Sequence, residues 1–178
     1  MKRIAILLSL LSSVTFALEP QEIPVEEVLP FEEGLSAQDF YSYMQEAIDD
    51  EDWWSAIDYG EIVLYNFPDS PLCQEVPFLM GMNYLHLQQH ELANDLLSEY
   101  LKSSPSPKYF EEAIEAKFSI AEHWRKGGRK RLFGSHKMPA ILPAREDSLK
   151  IYDEVITTLP HHEIAVKAML SMAIIKGL

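Results

Sequence analysis

Apolar residues recur at intervals of three and four along most of the chain from residue 36 onward, which is the spacing of one face of an α-helix. The first run contains Phe40, Met44 and Ala47 and stops at the polar sequence DDED. A second run follows Asp52, a residue type that favours a helix N-cap, and stops at NFPDSP. The pattern therefore predicts a pair of helices that ends in a proline-containing connector.

The same pattern returns in units that begin at residues 37, 74, 111 and 166. In the second unit, residues of suitable size occupy positions 7, 8, 11, 20, 24, 27 and 32, namely Met80, Gly81, Tyr84, Ala93, Leu97, Tyr100 and Pro105. This spacing resembles the tetratricopeptide repeat. The resemblance implies an all-α fold, a tetratricopeptide-repeat solenoid in which antiparallel helix pairs form a right-handed superhelix, and we expect no sheet in it.

The repeats divide the chain into a leader at 1–17, an acidic and proline-rich linker at 18–35, and a solenoid at 36–178. Repeats are expected near 37–70, 74–107 and 111–162, followed by a partial fourth repeat at 166–178. The third repeat is split by an insertion at 127–144, because residues that suit its second helix begin only at Ser148.

Gly81 lies inside an apolar helical segment, where glycine costs about 1 kcal/mol relative to alanine. We predict that the two helices of the second repeat cross most closely at this position. A phosphate-binding loop is the alternative, and it is excluded because Gly81 has neither partner glycines nor a preceding strand pattern.

The first 17 residues contain Lys2 and Arg3, then an apolar run, and finally Thr15-Phe16-Ala17. This arrangement predicts a secretory signal peptide that is cleaved after Ala17, with an uncleaved anchor helix as the alternative. The single cysteine, Cys73, lies far from that site and is expected to be a packed hydrophobic residue rather than a reactive thiol. No later apolar run reaches 18 residues, so the mature product is expected to be soluble.

Charge is unevenly distributed in this chain of 178 residues and formal net charge −13. Between Ile4 and Leu101 there are 19 acidic residues and no Lys or Arg, whereas from Lys102 onward 13 basic residues accompany 9 acidic ones. Phosphate contacts need cations, so the front half is not expected to bind nucleic acid. The asymmetry does permit electrostatic selection of protein partners.

Two surfaces are candidates for protein binding. The first helices of the repeats are expected to line a peptide-binding groove that contains Gln38, Tyr41, Gln45, Phe78, Met82 and Leu85; the alternative is that some of these residues pack between repeats. The basic insertion is expected to be a partner-docking loop that contains Arg129, Lys130, Arg131 and Phe133. The alternative there is a solvated loop that neutralises the acidic front half.

The sequence offers little for catalysis or metal binding. His86 and His90 have the i, i+4 spacing of a zinc-binding pair, but the complete HExxH pattern is absent. His161 and His162 are not a stronger candidate, and no nucleophile–base arrangement has supporting motifs. We therefore expect neither an enzyme nor a bound metal or cofactor.

The leader, the 37-residue repeats with NFPDSP and SSPSP connectors, and the split third repeat with its basic LFG-containing insertion together resemble the outer membrane protein assembly factor BamD family. The resemblance covers about residues 36–178. It implies a periplasmic scaffold whose first repeats receive unfolded outer-membrane proteins and whose later repeats hold the β-barrel assembly subunit. Members of that family usually have a lipidated N-terminal cysteine, which this sequence lacks, so membrane contact is expected only through partners.

Two other classes of function stay open. One is a soluble periplasmic repeat protein of another envelope system, similar to the cell-division coordinator CpoB, for which a regular third repeat would be expected. The other is a secreted adaptor or chaperone, which suits the acidic groove but does not explain the insertion.

Overall fold

The computed structural model describes residues 34–103, 105–131 and 138–177. The predicted leader and all but the end of the predicted linker lie outside these ranges. The elements are, in chain order, α1 (Ala37–Asp49), α2 (Trp53–Asn66), a 3-10 helix (Pro71–Gln74), α3 (Val76–His86), α4 (His90–Ser103), α5 (Phe110–Arg125), β1 (Arg129–Arg131), β2 (Ala140–Pro143), α6 (Arg145–Thr158) and α7 (Glu163–Lys176).

Consecutive helices pack against each other as pairs. Helix α1 contacts α2, α3 contacts α4, and α5 contacts α6, while α2–α3, α4–α5 and α6–α7 contacts join one pair to the next. Two hydrophobic clusters result, one centred on α1 to α3 and the other extending from α3 to α7. The predicted all-α class is confirmed, and the late second helix of the third pair is α6.

Side-chain caps fix where the first helices begin. The Ser36 hydroxyl accepts from the Asp39 N–H at 3.3 Å, while the Asp39 carboxylate accepts from the Ser36 N–H at 2.8 Å. These two bonds form a capping box at the start of α1. Asp52 caps α2 by accepting from the Ser55 N–H at 3.2 Å, as the sequence predicts.

Gly81 lies where α3 crosses α4. A Cβ atom on it would be 3.1 Å from Leu97 Cγ and 3.5 Å from the Ala93 carbonyl oxygen. This confirms the predicted close crossing within the second pair. Gly60 allows a similarly close approach between pairs, since a Cβ there would be 2.8 Å from Met80 Cγ of α3.

The expectation that the fold contains no sheet is wrong within the insertion. Strands β1 and β2 pair antiparallel, with Arg129 opposite Pro143 and Lys130 opposite Leu142. Helix α5 cannot continue into this segment because Gly127 has φ +106°, and prolines downstream disfavour a new helix. Strand pairing instead satisfies the backbone N–H and C=O groups.

Candidate protein-interaction surfaces

The six residues predicted to line a groove have different environments. Gln38 and Gln45 are exposed on α1, and Met82 and Leu85 are half-buried on α3. Tyr41 and Phe78 are 8% and 7% exposed and belong to the two hydrophobic clusters. Packing between helices therefore accounts for these two aromatic residues, as the alternative prediction held, and the two amides with the outer parts of Met82 and Leu85 face solvent.

A line of polar contacts joins the starts of the first helices of three successive pairs. The Tyr41 hydroxyl donates to Glu75 Oε2 at 3.3 Å, and Lys108 Nζ donates to Glu75 Oε1 at 3.1 Å. The Lys108 ammonium also lies 4.7 Å from the Tyr109 ring centroid, and that ring stacks on Phe78 at 4.6 Å. Burial, and then the charge of Glu75, raise the pKa of the Tyr41 hydroxyl. These contacts set the spacing between the first-helix faces.

We call the side of the first helices α1, α3 and α5 that is expected to line the groove the inner face, and its other exposed positions are acidic or polar. They include Asp49 and His86 in the first two pairs and Glu112, Glu115 and Ser119 in the third. The His86 ring stacks on Trp53 with centroids 4.0 Å apart and an interplanar angle of 8°. Residues 34–101 contain no Lys or Arg, so the α1 and α3 part of this face presents negative charge beside the stacked rings of Trp53 and His86. Lys108 brings a cation to the start of α5.

The cations of the predicted docking loop differ in their contacts with the rest of the chain. Strands β1 and β2 form a two-stranded ribbon. Arg129 is exposed and donates across this ribbon to the Ile141 carbonyl at 3.3 Å. Lys130 Nζ lies 2.9 Å from Asp147 Oδ2 and 5.8 Å from the Trp124 ring centroid. Lys130 therefore holds the ribbon to α5 and α6.

The residue that follows connects the ribbon to the front half of the chain. The Arg131 N–H donates to the Glu91 carboxylate of α4, and its guanidinium donates to the Met138 carbonyl at 3.0 Å. The bond to Glu91 is made by the backbone of the insertion and carries no charge, so a docking loop and a solvated loop that neutralises the acidic front half both stay predictions. Phe133 lies outside the described residues, so docking through Phe133 and Arg129 stays a prediction.

Glu122 connects three helices in a way that its sequence position does not reveal. Its carboxylate accepts from Arg125 Nη2 at 2.7 Å, from the Tyr152 hydroxyl at 2.6 Å and from the Ser171 hydroxyl at 2.5 Å. Chiefly through the hydrogen bond from Arg125, these donors lower the pKa of Glu122 to about 2. The i, i+3 spacing to Arg125 is a local signal, but nothing local identifies the partners on α6 and α7.

Lys117 makes a second set of polar contacts between helices that the sequence does not predict. Only 1% of its side chain is exposed, and Nζ lies 2.7 Å from Glu154 Oε2 of α6 and 2.5 Å from the Ser98 hydroxyl of α4. A lysine in a helix usually indicates a solvent-facing position, which is why the sequence pattern does not predict its burial.

The histidines at i and i+4 do not share a site. The His86 ring stacks on Trp53, whereas the His90 ring stacks on His123 with centroids 3.9 Å apart. Burial, and then the neighbouring His123, lower the pKa of His90. Among the described residues, no group of three or more His, Cys, Asp and Glu side chains is placed to hold a metal ion.

Helix α7 has an exposed apolar face that belongs to neither of the predicted binding surfaces. Its large exposed side chains are Val166, Met169, Leu170 and Ile174.

Within residues 34–103, 105–131 and 138–177, none of the helices combines the length and apolarity needed to cross a membrane. No known protein-family model matches the chain, and no curated protein matches it either.

Proposed function

We propose that this protein is a non-enzymatic tetratricopeptide-repeat scaffold that acts in the periplasm, at the assembly of outer-membrane β-barrel proteins, and that its leader directs its export. The packed helix pairs and the glycine at the α3–α4 crossing support the repeat assignment. The scaffold would hold unfolded outer-membrane proteins and a β-barrel assembly subunit, as the resemblance to the BamD family implies.

One observation carries the proposal furthest. The third helix pair, α5 and α6, packs as a pair although a strand ribbon and its connections separate the two helices in sequence. A generic repeat needs no such insertion, whereas the split third repeat is the feature on which the family resemblance rests. A CpoB-like protein would be expected to have a regular third repeat.

The side chains of the inner face suit an unfolded polypeptide as ligand. Its exposed carboxylates favour a polypeptide with Lys or Arg side chains, and the half-buried Met82 and Leu85 offer apolar contact. The amides of Gln38 and Gln45 can bond to an extended backbone. An unfolded segment that alternates apolar and polar side chains, as a transmembrane β-strand does, suits such a face.

Site-specific photo-cross-linking in cells tests the proposal. A photoreactive residue at Gln45 should capture unfolded β-barrel proteins, whereas the same residue at Tyr65, which is 87% exposed on α2, should capture few. Equal capture at both positions, or no envelope protein at Gln45, would contradict the proposal. Capture of cell-division or peptidoglycan proteins at Gln45 would favour the CpoB-like alternative.

A further inference from the structure

Two histidine rings are stacked where the second helix pair meets the third. His90 is the first residue of α4 and His123 lies in the last turn of α5, and their ring centroids are 3.9 Å apart with an interplanar angle of 10°. Histidine is the side chain that ordinarily gains its charge just below neutral pH, so acid can charge both members of this contact. The stack is stable only while at most one ring is positive, because like charges at this separation repel.

The groups around the stack do little to compensate a second positive charge. Among the described residues, the charged side chains that act on His90 are Glu91 of α4, which favours its cationic form, and His123 of α5 and Arg131 of β1, which oppose it. Burial, and then His123, lower the pKa of His90. The position of His90 at the first residue of α4 also opposes a positive charge, because the N-terminal end of a helix is the positive end of its dipole. Two charged rings would therefore face one carboxylate and a third cation.

Strand β1 lies across the edge of the same stack. The Gly128 N–H, just before β1, donates to the His123 carbonyl oxygen at 3.0 Å, and a Cβ atom on Gly128 would overlap the His123 ring. At the other end of β1, the Arg131 N–H donates to the Glu91 carboxylate of α4. The strand thus connects the end of α5 to the start of α4 beside the histidines. Separation of the two rings must therefore also move β1 away from α4.

The opposite end of the α4–α5 junction is held by contacts of another kind. The Tyr109 N–H donates to the Tyr100 hydroxyl at 2.7 Å, and the Lys117 ammonium donates to the Ser98 hydroxyl at 2.5 Å. A backbone N–H and a lysine ammonium have the same charge at pH 7 and at pH 5. Repulsion between the histidines would therefore open the junction at the end next to β1, with the Tyr100–Tyr109 end as the hinge.

We propose that the stacked pair of His90 and His123 is a pH-sensitive latch: below about pH 6 both rings become positive, and the start of α4 separates from the end of α5 and from β1. The sign follows from linkage, because His90 binds a proton more readily when the latch is open, so a falling pH favours opening. The ribbon stays attached to α6 in both states through Lys130 and Asp147. The latch depends on the contacts at this junction and not on the proposed periplasmic function.

Amide exchange resolved by NMR at pH 7.5 and pH 5.5 tests the opening, since carboxylates are ionised at both values. After correction for the chemical exchange rate, the Arg131 and Gly128 amides should lose protection at pH 5.5 by about tenfold, the factor by which one pH unit of linked protonation changes an equilibrium. The Tyr109 amide, at the hinge end, should keep its protection. Equal loss at both ends of the junction, or no loss at either, would overturn the proposal.

Two single substitutions test whether the histidine pair causes the response. His90→Gln and His123→Gln each leave only one ring of the pair to be charged, so the protection of the Arg131 amide should become the same at both pH values. The matched control His161→Gln, at an exposed histidine between α6 and α7, should respond to acid like the wild-type chain. A full acid response in either variant of the pair would overturn the proposal.

An NMR titration of the imidazole signals tests the coupling in the wild-type chain itself. His90 and His123 should titrate in two steps that both rings report, because each charge opposes the other. In His123→Gln the titration midpoint of His90 should rise towards 6.5, the ordinary value, because the neighbouring charge is gone. Independent single-step titration of the two rings in the wild-type chain would overturn the latch even if both variants failed to fold.

Discussion

The ammonium of Lys117 lies 2.7 Å from a carboxylate oxygen of Glu154, and only 1% of the lysine side chain is exposed, whereas 38% of the glutamate side chain is. The lysine belongs to α5 and the glutamate to α6, and Ser98 of α4 also receives a hydrogen bond from the ammonium. One buried cation therefore connects the second and third helix pairs. The two members of the ion pair differ in their access to water, so removing the lysine and removing the glutamate should change the unfolding free energy by different amounts.

Glu154→Gln should destabilise the fold more than Lys117→Met does. The first change leaves a buried ammonium without its counter-charge, which costs about 3 kcal/mol where water reaches the site only in part. The second removes the charge that needs a partner and leaves a glutamate that water can solvate, so its cost should be about 1 kcal/mol. Urea unfolding at neutral pH measures both free energies.

Lys126→Met is the control, because Lys126 directly follows α5, its side chain is 67% exposed, and its ammonium lies 3.7 Å from the nearest oxygen of its partner Glu122. It should change the unfolding free energy by less than about 0.5 kcal/mol. A larger loss for Lys117→Met than for Glu154→Gln would show that the bonds of the ammonium stabilise the fold even without the charge of Glu154, and it would contradict this prediction.

Acid should weaken the junction of α5, α6 and α7 through Glu122. Its pKa is lowered to about 2 in the folded chain from the ordinary 4.5, chiefly by the hydrogen bond from Arg125. Because the folded-state pKa is the lower one, this stabilisation is fully present above about pH 4.5 and is lost as the pH falls towards 2. The shift corresponds to about 3 kcal/mol.

Unfolding free energies of the wild-type chain and Glu122→Gln between pH 7 and pH 2 measure this effect. The variant should be less stable at neutral pH, and the difference should shrink in acid. Glu112→Gln, which removes an exposed carboxylate from the same helix, should follow the wild-type profile. A constant difference between wild type and Glu122→Gln at every pH would contradict the assigned role.

The helix pairs could be predicted from the sequence because the relevant signals are local. Apolar spacing, the cap at Asp52 and the connector prolines each depend on a few neighbouring residues. Gly81 was also predictable, since a glycine in an apolar helix indicates close packing. The ribbon was not, because a three-residue strand and a four-residue strand carry too little periodicity to be recognised.

The interaction surfaces were harder to predict because burial depends on distant partners. Tyr41 and Phe78 fit groove positions in the repeat pattern, but both are buried against neighbouring helices. Lys130 is one of five cations in a short basic run, and only the position of Asp147 on α6 shows that it is paired. The α7 face has the same apolar spacing as a core helix, so the sequence alone could not show that it is exposed.

Enlarging Gly81 should destabilise the second helix pair. Gly81→Leu must displace Leu97, whose Cγ would be 3.1 Å from even the first added carbon, and such overpacking costs about 1 to 3 kcal/mol. Gly81→Ala should be much milder, because the helix propensity of alanine offsets part of the crowding by about 1 kcal/mol. Thermal unfolding followed by circular dichroism compares the two, with Gln45→Leu at an exposed helical position as the control. Unchanged unfolding in Gly81→Leu would show that α3 and α4 do not cross there.

Alanine substitutions of the two cations at the start of the ribbon, Arg129 and Lys130, should differ in their effects on stability and on partner binding. Lys130→Ala should lower the unfolding free energy by about 1 kcal/mol, because it removes a half-buried ion pair with Asp147. Arg129→Ala, at an exposed strand position, should change it by less than about 0.5 kcal/mol. Urea unfolding of both variants measures this difference, and equal losses would contradict the environments seen in the structure.

Binding of a partner protein by the same variants distinguishes a docking loop from a loop that neutralises charges of its own chain. If the insertion docks on a partner, Arg129→Ala should slow association and make it less dependent on salt while stability is kept, because an exposed charge acts mainly on the encounter rate. Phe133→Ala should then speed dissociation, since a buried aromatic residue carries much of the energy of an interface. If the ribbon serves only its own chain, Arg129→Ala and Phe133→Ala should leave capture intact, and only Lys130→Ala should have a measurable effect, on stability. Normal capture by all three variants would therefore end the docking hypothesis and leave the ribbon as a brace between α4, α5 and α6.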